Sequence, residues 1–360
     1  MKRRIKANSR RPESGACTVL IVGTGGGSLG LEIFKSLRYA GGYRLIGTDL
    51  SEKAFGLYLD GFAKTYLVRR SEEIEYVQQL LKISKKENAR VLAPGAEEVQ
   101  TIVSRNRKLF EQEGLLLMVN SDEVCSLCAD KVKQMQFLEA RKIPVPVTRE
   151  VRSEQEIKNF EKFPCVVKPA ACSGGSNLVF IAENRDEAVF FVRYLVDRGF
   201  RAALQEYIPS CSEFTVGVLS DPSGEIIGSI ALKRFHDQKL SVISRYSDRV
   251  ISSGWSQGEI RDFREIRRQA ERIARALGST WALNIQGRLG AGGIFYPFEV
   301  NPRHSGTTYF RALAGFNEPH ILIQRCLFNR SVRPEPLKCG IYLRALSEQQ
   351  VPAKEVRTLA

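Results

Sequence analysis

The sequence predicts an α/β fold: a doubly wound, mostly parallel sheet in the first third, then an α+β arrangement rich in antiparallel hairpins in the C-terminal half. Three observations predict it. The run TVLIVG at 18–23 is continuously apolar, as a strand buried on both faces of a parallel sheet should be. Strand-like and helix-like periods then alternate as far as residue 120. Beyond residue 200, strands follow one another directly with turn residues between them.

The elements follow in order. After 18–23, the segment 29–40 has helical spacing, 43–50 reads as a second strand and 72–87 as an amphipathic helix. Strands are expected at 89–95 and 115–120. Residues 121–142 read as one helix ended by IPVPV. A short strand at 164–170 leads through the small-residue loop ACSGGSN to a strand at 178–181, a helix at 185–199 and a strand at 202–208. EFTVGVLS, the turn DPSG and EIIGSIALKRF form a hairpin. The helix at 261–278 places Phe263, Ile266, Ala270, Ile273 and Leu277 on one stripe and its arginines on a solvated face.

The chemistry concentrates in WALNIQGRLGAGGIFYPFEVNPRHSGTT, residues 281–308, read as two strands reversed by GAGG. Alternation puts Trp281, Leu283 and Ile285 on one face and Asn284, Gln286 and Arg288 on the other. On the second strand Tyr296, Phe298 and Val300 share a face, with Glu299 and Asn301 opposite. Gln286, Glu299 and Asn301 then form an oxygen-only donor set, which suits hard Mg²⁺ and also admits Mn²⁺. Lys168 ends a buried strand beside the loop holding Ser173, Gly174 and Gly175, where backbone amides and an ammonium suit phosphate. Metal and lysine together point to a nucleoside triphosphate, although no Walker sequence is present.

Bulk properties agree. Hydrophobic content of 43% and charged content of 26% are those of an ordinary globular protein. Net charge is +14, with six basic residues and no acid in residues 1–12, which favours anionic partners. No basic-aromatic module indicates a nucleic-acid partner. The N-terminal segment does not read as a signal peptide and no run is long enough to span a bilayer, so a cytoplasmic location is expected. Cys125 and Cys128 lack a second pair at zinc spacing and read as ordinary reduced thiols.

In order, Asp130-Lys131, VVKPAACSGGSN, LQEYIPSCSEFTVGV, LKR, NIQGRL and FEVNPRHSG form a series that resembles the ATP-grasp superfamily over residues 18–330. It is most like the single-unit relatives of the carbamoyl-phosphate synthase large subunit and biotin carboxylase. The resemblance implies a basic tail at 1–17, a Rossmann-like domain at 18–120, a two-lobed ATP-grasp domain split into 121–205 and 206–330, and an extension at 331–360. It implies that Lys131 and Lys168 bind phosphates, and that Glu206, Tyr207 and Ile208 form the hinge beside the adenine. Glu213 would grip the ribose, and Gln286, Glu299 and Asn301 would hold Mg²⁺. Arg303 would stabilise the transferred phosphoryl group, with Lys233 and Arg234 as a basic pair facing the phosphates. The implied activity is ATP-dependent carboxylate–amine ligation through an acyl-phosphate, with small-molecule substrates, no membrane partner, and a homodimer left open. The neutral Gln286 departs from the carboxylate of most relatives, and the loop at 171–177 carries only two glycines.

One motif competes. Gly25-x-Gly27-x-x-Gly30, with Asp49 after a second strand, fits a dinucleotide fingerprint and an NAD(P)-dependent oxidoreductase. In the resembled superfamily this loop faces the substrate, so Gly25, Gly26 and Gly27 are expected to form an anion site and Asp49 to be structural or substrate-facing. Two further readings stay open: a non-catalytic ATP-binding protein, and RNA binding through the basic tail.

Overall fold

The computed structural model describes residues 17–171, 178–209, 212–246, 248–332 and 334–356. Its first sheet contains β1 (Cys17–Val22), β2 (Tyr43–Asp49), β3 (Lys64–Leu67), β4 (Val91–Pro94) and β5 (Leu116–Leu117). The pairings are all parallel, in the order β3-β2-β1-β4-β5. The helices α1 (Leu29–Ala40), α2 (Glu73–Lys86), α3 (Glu97–Arg105) and α4 (Arg107–Gln112) connect these strands. β1 lies in the middle, so both its faces need apolar cover: Val19 and Ile21 join Phe34 and Leu37 of α1, while Leu20 and Val22 join Tyr76 and Leu80 of α2. Sequence reasoning passes over β3, because KTYL is a short, partly exposed edge strand without an apolar run.

The helix expected over 121–142 is two helices, α5 (Asp122–Ala129) and α6 (Lys131–Ala140). Asp130 divides them. Its backbone is extended and its carboxylate accepts from the amides of Val132 and Lys133, which makes it the N-cap of a new helix. The break starts α6 at Lys131 and brings that side chain to the rim of the central cleft.

The second sheet, order β6-β9-β7-β8, comprises β6 (Thr148–Val151), β7 (Cys165–Pro169), β8 (Phe180–Ala182) and β9 (Ala202–Glu206). The helices α7 (Glu154–Lys158) and α8 (Arg185–Val196) bury Ile157, Val192 and Leu195 against Cys165, Val167 and Leu204.

The third sheet, order β16-β15-β10-β11-β14-β17, comprises β10 (Glu213–Ser220), β11 (Ile226–Arg234), β14 (Gly258–Ile260), β15 (Ala282–Leu289), β16 (Phe295–Asn301) and β17 (Gly340–Tyr342). A separate ribbon, β12 (Val242–Tyr246) with β13 (Arg249–Ser252), leaves it after β11. One face of the sheet packs on α9 (Arg264–Leu277) through Phe214, Val216, Leu283 and Ile285, which meet the expected stripe of Ile266, Ala270, Ile273 and Leu277. The other face is divided. At one end Leu219, Ile230 and Leu232 are packed under α10 (Thr308–Leu313), α11 (Glu318–Phe328) and the first sheet; at the other, polar side chains line a cleft.

A bulge corrects the alternation expected of β16. Gln286 pairs with Glu299 but Gly287 pairs with Pro297, so Phe298 is the extra residue. Phe295 and Val300 therefore both reach the α9 core, whereas Phe298 lines the cleft beside Glu299. No helix among the described residues is long and apolar enough to cross a membrane. Cys125 and Cys128 are free and buried, and burial pushes their thiols up to about 11 and about 12, which removes thiolate reactivity at neutral pH.

Candidate active site

The second and third sheets flank a cleft that is open to solvent. One end is apolar, lined by Pro146, Val166, Val179, Ile208 and Ile251. The other end carries Lys131, Lys168, Gln286 and Glu299. A flat apolar group fits the first end and a polyanion the second.

Lys168 is 5% exposed and projects from β7. Its Nζ donates to Gln205 Oε1 at 2.9 Å and to the Phe298 carbonyl at 3.1 Å, an acceptor freed from the ladder by the bulge. Burial pushes its ammonium down to about 8; Glu299 pulls against this and Lys131 adds to it. The hinge residues Glu206, Tyr207 and Ile208 line the cleft. Glu206 Oε2 accepts from the Val147 amide at 3.2 Å, and the Tyr207 hydroxyl accepts from the Val250 amide, which ties the β12–β13 ribbon over the opening.

Glu213 sits at the centre of an arginine pair. Its Oε1 accepts from Arg234 Nη1 at 2.8 Å and its Oε2 from Arg288 Nη2 at 3.0 Å. Burial pushes its carboxyl up, but the two guanidinium charges together outweigh this and hold it below the usual range. A sugar hydroxyl would share these oxygens with the arginines. Sequence reasoning does not single out Arg288; its alternation with Gln286 is the available signal. Its guanidinium also lies over the Tyr207 ring, 4.2 Å from the centroid.

The expected donor trio is only partly free to bind a cation. Glu299 lines the cleft, and Asn301 follows two residues later on the same strand. Asn301 Oδ1 accepts from Arg303 Nη2 at 3.2 Å, and Arg303 is partly exposed, with Glu97 of α3 3.5 Å away. Gln286 is engaged at both ends of its amide. Its carbonyl accepts from Arg234 Nη2 at 2.9 Å while its amide nitrogen donates to Glu299 Oε2 at 3.1 Å. Glu299 and Asn301, whose Oδ1 keeps a second lone pair beside Arg303, suit one hard cation completed by phosphate and water; Gln286, in this arrangement, turns its NH₂ rather than its oxygen towards Glu299.

The remaining expected residues fall elsewhere. Lys233 is on the wrong face: it pairs with Phe214, whose ring is in the α9 core, so it cannot join Arg234 against the phosphates. Ser173, Gly174 and Gly175 lie outside the described residues, as do positions 1–16. Gly25, Gly26 and Gly27 do not line the cleft; they follow β1, and Gly27 packs on Trp255 of the loop between β13 and β14. A Cβ on Gly27 would lie 2.3 Å from the Trp255 ring, at a φ of +74°. Gly30, the third glycine of the fingerprint, serves packing, because a Cβ there would lie 2.0 Å from the Gly23 carbonyl. Both Asp49 oxygens are engaged, Oδ2 by the Thr24 amide at 2.7 Å and Oδ1 by the Ser51 amide at 3.0 Å. Asp49 therefore braces the loop.

Below the cleft lies a second cluster that sequence reasoning misses. Arg311 of α10 donates to Glu318 Oε1 of α11 at 3.1 Å and to Asn284 Oδ1 at 2.6 Å, and Asn284 also accepts from Thr215. All four are buried, and His304 Nδ1 is 3.5 Å from Glu318.

Comparisons with known proteins bear on the family and the fold. A family model described as ATP-grasp in the biosynthetic pathway with Ter operon matches residues 202–348, and one described as RimK-like ATP-grasp domain matches residues 128–232. The carbamoyl phosphate synthase large chain of Pasteurella multocida (strain Pm70) is 28% identical over 202 residues, 55% of this chain. The match spans only 18% of that protein's length. In fold, the chain is similar to an L-amino acid ligase from Bacillus licheniformis, with a TM-score of 0.65 at 16% identity over 89% of this chain and 75% of that one. It is also similar to biotin carboxylase from Campylobacter jejuni, solved with β,γ-ATP, with a TM-score of 0.63 at 18% identity over 90% and 73% of the two chains.

Proposed function

Because the chain belongs to the ATP-grasp superfamily, we propose that it is an ATP-dependent ligase that joins a carboxylate to an amine through an acyl-phosphate, releasing ADP and phosphate. The observation that carries the proposal is the cleft itself. An apolar end with Glu206 at its hinge is followed by Lys131, Lys168 and Arg288, and the Glu213 carboxylate is already held by Arg234 and Arg288. That sets two lysines beside the single carboxylate of Glu299 at the far end, an arrangement that suits a polyanion.

In this reading the adenine occupies the apolar end against Glu206, Tyr207 and Ile208, and the ribose lies at Glu213. Lys131 and Lys168 hold the phosphate oxygens and offset the charge that develops as the substrate carboxylate attacks the γ-phosphate. Glu299 and Asn301 would hold Mg²⁺ there, which supplies charge neutralisation of the phosphate oxygens when bound. Arg303, between Asn301 and Glu97, faces residues 18–120 and stabilises the acyl-phosphate until an amine attacks it and expels phosphate. Residues 18–120, with the loop at Gly25–Gly27, then form the substrate side of the reaction. Residues 121–205 and 206–330 are the two lobes around the nucleotide, and 331–360 an extension.

The test is a coupled ADP-release screen over carboxylate–amine pairs, with Lys168→Ala as control. Pair-dependent release of ADP and phosphate supports the proposal. Release of AMP and pyrophosphate would refute the acyl-phosphate route.

A further inference from the structure

We propose that Arg234 takes the place of a second divalent cation, so that this site holds one metal ion with its nucleotide; the inference rests on the ATP-dependent reading above. It follows from an orientation that hydrogen-bonding chemistry fixes. A glutamine amide can be turned over, exchanging oxygen for nitrogen, when its neighbours tolerate both. The neighbours of Gln286 do not. On one side stands Arg234 Nη2, 2.9 Å from Oε1, and a guanidinium only donates. On the other stands Glu299 Oε2, 3.1 Å from Nε2, and an ionised carboxylate only accepts. Turning the amide would set two donors against each other at Arg234 and two acceptors at Glu299.

A cation shared by Gln286 and Glu299 needs the amide oxygen on the Glu299 side, where the structure puts the NH₂ group. Arg234 is also firmly placed. It is 6% exposed and donates to Glu213 Oε1 at 2.8 Å and to Ser252 Oγ. Withdrawing it would cost a buried charge its partner. The guanidinium is thus held next to the Gln286–Glu299 pair, as a permanent positive charge that a second ion bound by that pair would have to face. Its Nε has no partner among the described residues although it is buried, which leaves a further donor at the site.

The experiment counts ions rather than turnover. The whole chain is saturated with a non-hydrolysable ATP analogue, and bound Mn²⁺ and bound nucleotide are measured together by equilibrium dialysis. The wild type is expected to retain about one Mn²⁺ per nucleotide, because Glu299 and Asn301 with phosphate and water complete one hard-cation shell. Combining Arg234→Gln with Gln286→Glu removes the guanidinium and adds a carboxylate beside Glu299, which should raise the count to about two. Gln286→Glu alone should stay near one, since Arg234 would pair with the new carboxylate. A wild-type count of two overturns the inference and leaves the ligase reading intact. A folded double variant that stays at one also overturns it. Were the double variant not to fold, the wild-type count would decide. If no Mn²⁺ is retained with nucleotide, both this inference and the ATP-dependent reading fall.

Discussion

Two buried ionic clusters share one face of the third sheet, and they differ in one respect. Around Arg311, charges are balanced: one guanidinium faces one carboxylate in Glu318, and the oxygens of Asn284 and Thr215 accept from the same guanidinium. The space is closed, so tightly that a Cβ on Gly217 would fall 2.2 Å from Glu318. Around Glu213 the balance is left open: Arg234 and Arg288 hold one carboxylate, Lys168 and Lys131 stand nearby, and a cleft adjoins them. A charge-balanced, sealed cluster positions helices; one in which cations crowd a single carboxylate beside a cavity suits an anion.

The comparison breaks most readily at Glu318. Glu318→Ala strands the Arg311 charge in a sealed interior and should destabilise the fold by about 3–5 kcal/mol in urea unfolding, whether or not nucleotide is present. A loss under about 1 kcal/mol would show that the interior is not sealed. Lys168→Ala should do the opposite. It should lower kcat about 10²–10³-fold, as loss of an electrostatic donor does, while the unfolding midpoint holds or rises. Burial already disfavours the Lys168 ammonium, so removing it relieves the fold.

The pH dependence sharpens the contrast further. Lys168 titrates near 8 in the free protein, and phosphate would raise that value by favouring the ammonium. Binding of a triphosphate analogue at pH 8–9 should therefore take up a proton, and affinity should fall up to about tenfold per pH unit above 8. Calorimetry in buffers of differing ionisation enthalpy reads the uptake directly; proton release would contradict it. For folding the sign is reversed: the depressed value costs stability below about 8, and that cost fades as pH rises towards the ordinary lysine value near 10.5. The smallest effect belongs to an exposed pair. Arg193 and Glu154, 2.6 Å apart but largely solvated, should couple by about 0.2–1 kcal/mol in a double-mutant cycle, against which the buried clusters are measured.

Much of this is legible in the sequence, for a physical reason. Strand alternation is a local property, so the polar face carrying Gln286, Arg288, Glu299 and Asn301 follows from spacing alone. Continuous apolar runs likewise announce β1 as a central strand. What stays hidden depends on register and caps. The bulge at Phe298 makes one face out of residues of unlike parity, and no spacing rule announces it. The grip of Arg234 on Gln286 reaches across β10 from β11 to β15, and needs the register of three strands at once. Lys233 is misplaced by sequence reasoning because a basic pair on a strand necessarily splits between faces. Asp130 has the chemistry of an N-cap, yet helical spacing on both sides conceals the break.

The most direct measurement is a calorimetric titration of the whole chain with a Mg²⁺-bound, non-hydrolysable ATP analogue, run beside NAD⁺ and repeated with Lys168→Ala. The account requires saturable binding of the triphosphate, lost in Lys168→Ala, and no binding of NAD⁺. Binding of NAD⁺ without the triphosphate, or a triphosphate isotherm untouched by Lys168→Ala, would contradict it.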